Sequence, residues 1–214
     1  MTPYYEQDGI TIYHGDCLKI LPCLVDVDTI IADPPYGLDM QKRKGGSRSK
    51  ATVALNEYTI VGDDQPFDPH HLLDYRRVVI WGANHFAHLL PASRGWLVWD
   101  KREGGKSDNQ ADCEMAWTNM DAPARLFSHL WRGMIKASER NQRRVHPMQK
   151  PVALMRWCIQ LARPAGPICD PYMGSGSTLV AAQSLDLPVI GIEIDERYCE
   201  AAVGRLQQPA LGIG

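Results

Sequence analysis

No run of apolar residues in the sequence approaches the roughly 18 that a membrane-spanning helix needs. The opening Met1-Thr2-Pro3-Tyr4-Tyr5 also lacks the charged-then-apolar order of a secretory signal. The expectation is a cytoplasmic protein with no membrane partner. The six cysteines (Cys17, Cys23, Cys113, Cys158, Cys169 and Cys199) form no C-x-x-C pair, which removes the usual spacing of a zinc ribbon or a redox disulfide. Most lie in apolar runs and read as small buried residues in a reducing compartment. Charge of one sign is lacking too. A net charge of -2 gives no global sign of nucleic-acid binding, so any such surface must be a local patch. There is no G-x-G-x-x-G and no P-loop lysine, which argues against a dinucleotide or ATP site. His85 and His88 lie about one helical turn apart without an evident third ligand, and no metal is expected.

What is present fits one domain over residues 1–214, with 44% hydrophobic residues to build its core. Short apolar runs alternate with helical patterns, as in parallel strands joined by crossover helices. Strands are predicted at Ile10–Tyr13, Thr29–Asp33, Val78–Gly82, Trp96–Asp100, Glu114–Thr118, Pro167–Asp170 and Val189–Glu193. Helices are predicted at Cys17–Leu24, Pro69–Arg76, His85–Leu90, Pro151–Ala162, Ser177–Leu185 and Glu196–Gln207, with Pro151 as a first helical residue. Trp81, Trp99, Trp117 and Trp131 read as core or pocket wall. Two stretches, 38–60 and 132–148, read instead as basic loops.

Two motifs carry chemistry. Thr29-Ile30-Ile31-Ala32-Asp33-Pro34-Pro35-Tyr36 is a strand running into a proline-stiffened turn. Two prolines remove two backbone donors, leaving the carbonyls of Asp33 and Pro34 as acceptors beside a carboxylate and an aromatic ring. That set suits a planar group bearing an amine: carboxylate and carbonyl each accept one N–H, and Tyr36 stacks on the plane. An exocyclic base amine is a poor nucleophile because its lone pair is delocalised, and two acceptors outside the ring plane would free it. The task is positioning and electrostatics, so Asp33 need not be a strong base. Taken alone, a Pro-Pro turn with a capping aspartate also explains the motif.

The second motif is Ile168-Cys169-Asp170-Pro171-Tyr172-Met173-Gly174-Ser175-Gly176-Ser177-Thr178, a strand, a glycine turn and a helix start. Asp170 can pair with an ammonium, and backbone N–H groups at the helix start can hold a carboxylate, so a ligand with an amino-acid zwitterion satisfies both. Glu193, about 20 residues past the glycines, stands where an acid accepts from ribose hydroxyls. Asp16 ends another strand and can accept from an adenine amine. Each of these two acids also suits a helix cap.

Together these residues resemble the amino-methyltransferases of the β class, over nearly the whole chain. Asp33-Pro34-Pro35-Tyr36 looks like the catalytic motif, and Asp170 to Thr178 looks like the cofactor motif, with Tyr172 in place of the more usual phenylalanine. His146-Pro147-Met148-Gln149-Lys150-Pro151 is similar to the segment before the first cofactor helix, which puts Lys150 with the cofactor residues. The resemblance implies a Rossmann-like α/β fold: a seven-stranded, mostly parallel sheet with one antiparallel strand and helices on both faces. It implies S-adenosylmethionine (SAM) as cofactor, DNA as partner, and methylation of adenine N6 after the base is flipped into the pocket beside Tyr36. Asp33 and Asp170 would meet at the switch crevice of the sheet.

For the DNA, the resemblance turns attention to Lys42, Arg43, Lys44, Arg48 and Lys50 in the first loop and Arg140, Arg143 and Arg144 in the second. N4-cytosine methylation uses the same amine chemistry and is the nearest alternative. A nicotinamide-dependent oxidoreductase leaves the Asp-Pro-Pro-Tyr turn unexplained, and a silent DNA-binding module would have no need of it. Pairing as a homodimer, known in the family, is left open by the sequence.

Overall fold

Strands buried on both faces are near-continuous apolar runs, and this is how the sheet declares itself. The structure is a computed structural model that describes residues 1–38, 61–105, 111–132, 135–139 and 148–208. The seven expected strands form as β2 (Ile10–His14), β3 (Thr29–Ala32), β4 (Arg77–Trp81), β5 (Trp96–Asp100), β6 (Cys113–Thr118), β10 (Ile168–Asp170) and β11 (Val189–Glu193). They occupy neighbouring positions in the order β2-β11-β10-β3-β4-β6-β5. All run parallel except β6, which pairs antiparallel with both β4 and β5. Two edge strands that the sequence reading passed over widen the sheet to nine: β1 (Tyr5–Gln7), antiparallel to β2, and β7 (Arg125–Ser128), parallel to β5. A separate two-stranded ribbon joins β8 (Trp131–Arg132) to β9 (Ile135–Lys136).

Side chains of a strand alternate between faces, and β3 and β4 divide the core accordingly. Ile31, Val79 and Trp81 pack in the cluster that holds Leu154, Met155, Cys158, Ile159 and Leu179, on the helices α2 (Val152–Ala162) and α3 (Ser177–Gln183). Ile30, Ala32, Val78 and Ile80 pack in the other cluster with Cys17, Ile20, Leu21, Leu72 and Phe86. Each fully buried aliphatic side chain contributes about 1.5–3 kcal/mol relative to exposure. The four tryptophans Trp81, Trp99, Trp117 and Trp131 are core residues. Helix α4 (Glu196–Leu206) completes the first face, capped by the Asp195 carboxylate, which accepts from the N–H of Arg197.

Several expected helices are shorter. Helix α1 (Cys17–Ile20) passes into a 3-10 turn at Leu21–Cys23, where Pro22 has no N–H to continue the α ladder. The segment expected at Pro69–Arg76 is one 3-10 turn, His70–Leu72. His85–Leu90 resolves into two turns, Ala83–His85 and Ala87–Leu89, broken where Phe86 (φ -133°) sends its ring into the core. Pro151 precedes α2 instead of opening it, because its ψ of 139° is extended. Of the cysteines, Cys17, Cys158, Cys169 and Cys199 are buried and Cys23 and Cys113 are exposed.

The topology creates the crevice. From β10 the chain goes on through α3 to β11 on one side, while β3 leads to β4 on the other, so the neighbours β10 and β3 straddle the switch point. Gly191 in β11 keeps that end of the sheet closely packed: a Cβ there would stand 2.4 Å from the Met173 sulfur and 3.0 Å from the Leu179 methyls. Gly191→Ala is expected to cost about 1–3 kcal/mol in a urea titration, with an unchanged denaturant slope.

Candidate active site

Strand β3 ends at Ala32 because Pro34 and Pro35 cannot donate to a sheet ladder, and Asp33 emerges at the carboxyl end of the sheet. Asp170 closes β10 on the adjacent strand. Both carboxylates line one cleft of about 990 Å³, counting its open mouth, together with Pro34, Pro35, Tyr36, Lys150, Tyr172, Gly174, Ser175, Ser177, Thr178 and Glu193. The two motifs, 137 positions apart in sequence (170 minus 33), therefore open onto the same space.

Around Asp33 the contacts are charged and short. The Lys150 ammonium donates to both carboxylate oxygens at 2.7 Å. The Tyr36 hydroxyl donates to Oδ1 at 2.5 Å, and Lys150 Nζ lies 3.2 Å from that hydroxyl. A carboxylate offers about four lone-pair positions. With Lys150 on both oxygens and Tyr36 on Oδ1, acceptor capacity is left on Oδ2. The other partner of Lys150 is Glu114 of β6, whose Oε2 lies 3.1 Å from Nζ, and Glu114 Oε1 accepts from Lys101 at 2.6 Å. Burial alone would push the Glu114 carboxyl up, but the two ammonium groups of Lys150 and Lys101 outweigh it and hold the carboxyl at about 2. For Lys150, burial favours the neutral amine, and the carboxylates of Asp33 and Glu114 reverse that and raise its pKa well above the ordinary lysine range. Lys150 is only 4% exposed, so this ammonium is kept charged by its partners rather than by water.

Glycine shapes the aromatic side of this turn. Gly82 adopts φ +70°, and a Cβ there would fall 2.0 Å from the Tyr36 ring, so only glycine lets the ring lie where it does. His85 stacks on Tyr36 with ring centroids 5.1 Å apart.

The Asp170 half differs in kind. Its carboxylate accepts from Thr178 Oγ1 at 2.5 Å and from the Tyr172 N–H at 3.1 Å, with no cation among these contacts. Burial pushes its carboxyl up to about 7. Such a buried acid at a cleft wall is suited to a ligand cation. Glu193 accepts from the Gly174 and Asp195 N–H groups at 2.9 and 2.8 Å, and burial raises its pKa as well. Gly176 lies outside the lining; it caps α3 at φ +77°, with Ala202 2.9 Å from where its Cβ would be. Asp16 also lies outside the lining and caps α1, accepting from the Leu18 N–H at 3.0 Å. The DNA candidates Lys42, Arg43, Lys44, Arg48, Lys50, Arg140, Arg143 and Arg144 fall outside the described residues.

Lys150, expected beside the cofactor, thus has its ammonium on the catalytic-motif acid, and its backbone is fixed from the glycine-turn side. The Ser177 hydroxyl donates to the Lys150 carbonyl at 2.7 Å. Arg205 of α4 donates to the Ser175 carbonyl at 2.8 Å and pairs with Glu139, which also accepts from the Val152 N–H at the start of α2. Glu114 and Lys101 are site residues that the sequence reading did not single out.

Known proteins resemble this chain in sequence and in fold. The family described as DNA methylase, of the N6/N4 type, matches residues 92–204. The type II methyltransferase M.ScaI of Streptomyces caespitosus is 41% identical, over 99% of this chain and 86% of that protein. The type II methyltransferase M2.LlaDCHI of Lactococcus lactis subsp. cremoris is 23% identical over 97% and 93%. Among solved structures, the M1.HpyAVI–SAM complex superposes with a TM-score of 0.55 at 22% identity, covering 92% of this chain and 100% of that one. The cytosine-N4-specific PvuII DNA methyltransferase gives 0.63 at 15% identity, covering 98% and 90%. These two structures share the fold.

Removing the central cation should unmask the cost of its two acids. Lys150→Met leaves buried carboxylates with one partner fewer, an expected loss of about 3–5 kcal/mol at pH 8. Burial already holds the Asp33 carboxyl above its ordinary value with Lys150 in place; without Lys150 it rises further and the Glu114 carboxyl loses one of the two cations that depress it, so the variant loses more stability than the parent as pH increases. Urea titrations should show a smaller gap from the parent at pH 5 than at pH 8; an equal gap would argue that the pair is not what stabilises this region.

Proposed function

The chain belongs to the N6/N4 DNA methylase family, and on that premise we propose that it transfers the methyl group of S-adenosylmethionine to the exocyclic N6 amine of adenine in DNA. The observation that carries this reading is the opening of Asp33 and Asp170 onto one cleft, the first anchored by a lysine and the second, among the described residues, by neutral donors. An acid raised to about 7 in the absence of a cation fits the amino-acid ammonium of SAM, and Glu193 fits its ribose hydroxyls. The Gly174 and Gly176 N–H groups are engaged by Glu193 and by the Met173 carbonyl, so the other N–H groups of the turn from Ser175 to Thr178 are the ones that would receive its carboxylate. Bound there, SAM supplies a methyl group on a cationic sulfur that departs as a neutral thioether.

The rest is done by this chain. Asp33, through Oδ2, accepts one N–H of the target amine and the Pro34 carbonyl accepts the other, which turns the nitrogen lone pair out of conjugation. Tyr36 is held by its own hydrogen bond to Asp33 and offers a ring against the flipped base. As the new N–C bond forms, the nitrogen becomes cationic and its surplus proton leaves by way of the Asp33 carboxylate to water. Lys150 keeps that carboxylate ionised and aimed. Unstacking the base costs roughly a few kcal/mol, and the basic residues of 42–50 and 140–144 are our candidates for the phosphate contacts that offset it. The preference for adenine over cytosine N4 rests on the aspartate that opens Asp33-Pro34-Pro35-Tyr36, since serine at that place leans toward cytosine in this family.

Asp33→Ala is expected to lower methyl transfer by roughly 10²–10³-fold or more while SAM affinity by calorimetry stays near the parent's. Equal loss of both would remove Asp33 from the chemistry. SAM affinity itself should weaken as pH falls through about 7, because the free enzyme's Asp170 must then lose a proton to bind an ammonium. The limiting slope is about tenfold per pH unit, and Asp170→Asn should bind weakly with no such slope. Mass analysis of nucleosides from methylated DNA should find N6-methyladenine; N4-methylcytosine would transfer the reading to the other base.

A further inference from the structure

Glu114 has no contact with either motif in sequence, yet it completes the charge arrangement behind Asp33. Four groups alternate in sign: Lys101, Glu114, Lys150 and Asp33 stand in a row with separations of 2.6, 3.1 and 2.7 Å. They come from four places: the residue after β5, the start of β6, the segment before α2 and the end of β3. Lys150 is almost fully buried, while Lys101 and Glu114 are about a quarter and a fifth exposed, so the row leads from the cleft toward solvent. Lys150 is the one cation bonded to Asp33 among the described contacts, and a lysine free to close wholly on that carboxylate would compete with the substrate amine for its oxygens.

We propose that Glu114 is a positioning residue for methyl transfer: by drawing the Lys150 ammonium from the side away from the cleft, it leaves Asp33 with acceptor capacity for the base amine. The inference rests on the methyl-transfer reading above but makes a separate claim, about how the acid is set. Its electrostatic signature follows from the groups that face Asp33, which are Lys150, Tyr36, Glu114 and, across the cleft, Asp170. Burial raises the Asp33 carboxyl, Lys150 opposes this, and the Glu114 charge adds to the rise. Removing the Glu114 charge should therefore lower the pH at which Asp33 protonates. Removing Lys101 frees Glu114 of its second cation and should raise it.

The test uses Glu114→Gln and Lys101→Met in the full chain. Single-turnover methyl transfer with saturating SAM should fall about 10–100-fold in Glu114→Gln, and SAM affinity by calorimetry should stay within about twofold of the parent. Glu114→Asp, which keeps the charge, should recover part of the rate. The acid limb of the rate profile should move down in Glu114→Gln and up in Lys101→Met, by roughly half a pH unit or more. A merely structural role would move neither limb in this opposed way. Parent-like rate and limb in Glu114→Gln, or limbs shifting in the same direction in both variants, would overturn the proposal. Were the parent to methylate no DNA at all, the functional reading would fall. The Glu114 claim would still be decided by carboxyl NMR, with Asp33 assigned from Asp33→Asn: its titration must move down in one variant and up in the other.

Discussion

An ammonium buried to 4% exposure between two carboxylates is the interaction on which the site depends. Taking such a charge out of water costs several kcal/mol, and it persists only where opposing charges and hydrogen bonds repay the desolvation. Lys150 meets that condition with bonds to both oxygens of Asp33 and a contact to Glu114. The consequence is directional. A lysine that must satisfy two acids cannot wander, and the carboxylate it holds is presented to the cleft in one orientation. The two halves of the cleft are then electrostatically distinct. Asp33 has its cation built in, whereas Asp170 is held, among the described residues, by a hydroxyl and a backbone N–H, and burial has raised it to about 7. On the reading proposed above, the first acid acts on a neutral amine and the second receives a positive ligand.

The scaffold around these groups repeats the same theme of fixing one half from the other. The Lys150 carbonyl is held by Ser177 of the glycine turn. The turn is held by Arg205, which reaches across to Glu139 and so to the start of α2. Displacement of the glycine turn would therefore be felt at Lys150 and through it at Asp33. The Gly82 backbone, on which the Tyr36 ring rests, and Gly191, against which Met173 and Leu179 pack, bring strand ends and turns to distances that a Cβ would forbid.

How much of this was legible depended on which physical signal each part left in the chain. Buried parallel strands are apolar runs, and all seven inner strands could be read from them. The edge strands could not: β7 carries the exposed Arg125 and Leu126 and lacks a clean alternation. The 3-10 turns near His70 and Ala87 look helical in periodicity, and only Phe86 turning inward decides against a continuous helix. Asp33 and Asp170, which line one cleft, are legible through their motifs, since proline pairs and glycine turns leave local marks. The sequence neighbours of Lys150 lead into α2 and point to the cofactor half of the site, and only the fold brings its side chain to Asp33. Glu114 was harder still. It begins β6, and because β6 alone among the inner strands is reversed, its beginning lies where the others end. Nothing local in Cys113-Glu114-Met115 announces that.

The central claim is that one ligand spans the cleft from Asp170 to Asp33. It is tested most directly by a crystal structure of the chain with a SAM analogue whose amine-bearing carbon replaces the methylsulfonium. The account predicts the analogue's ammonium on Asp170, its ribose on Glu193 and its amine-bearing carbon directed at the Asp33 carboxylate, with Lys150 still on that acid. An analogue bound with its amino-acid end away from Asp170, or with that carbon pointing away from Asp33, would contradict it.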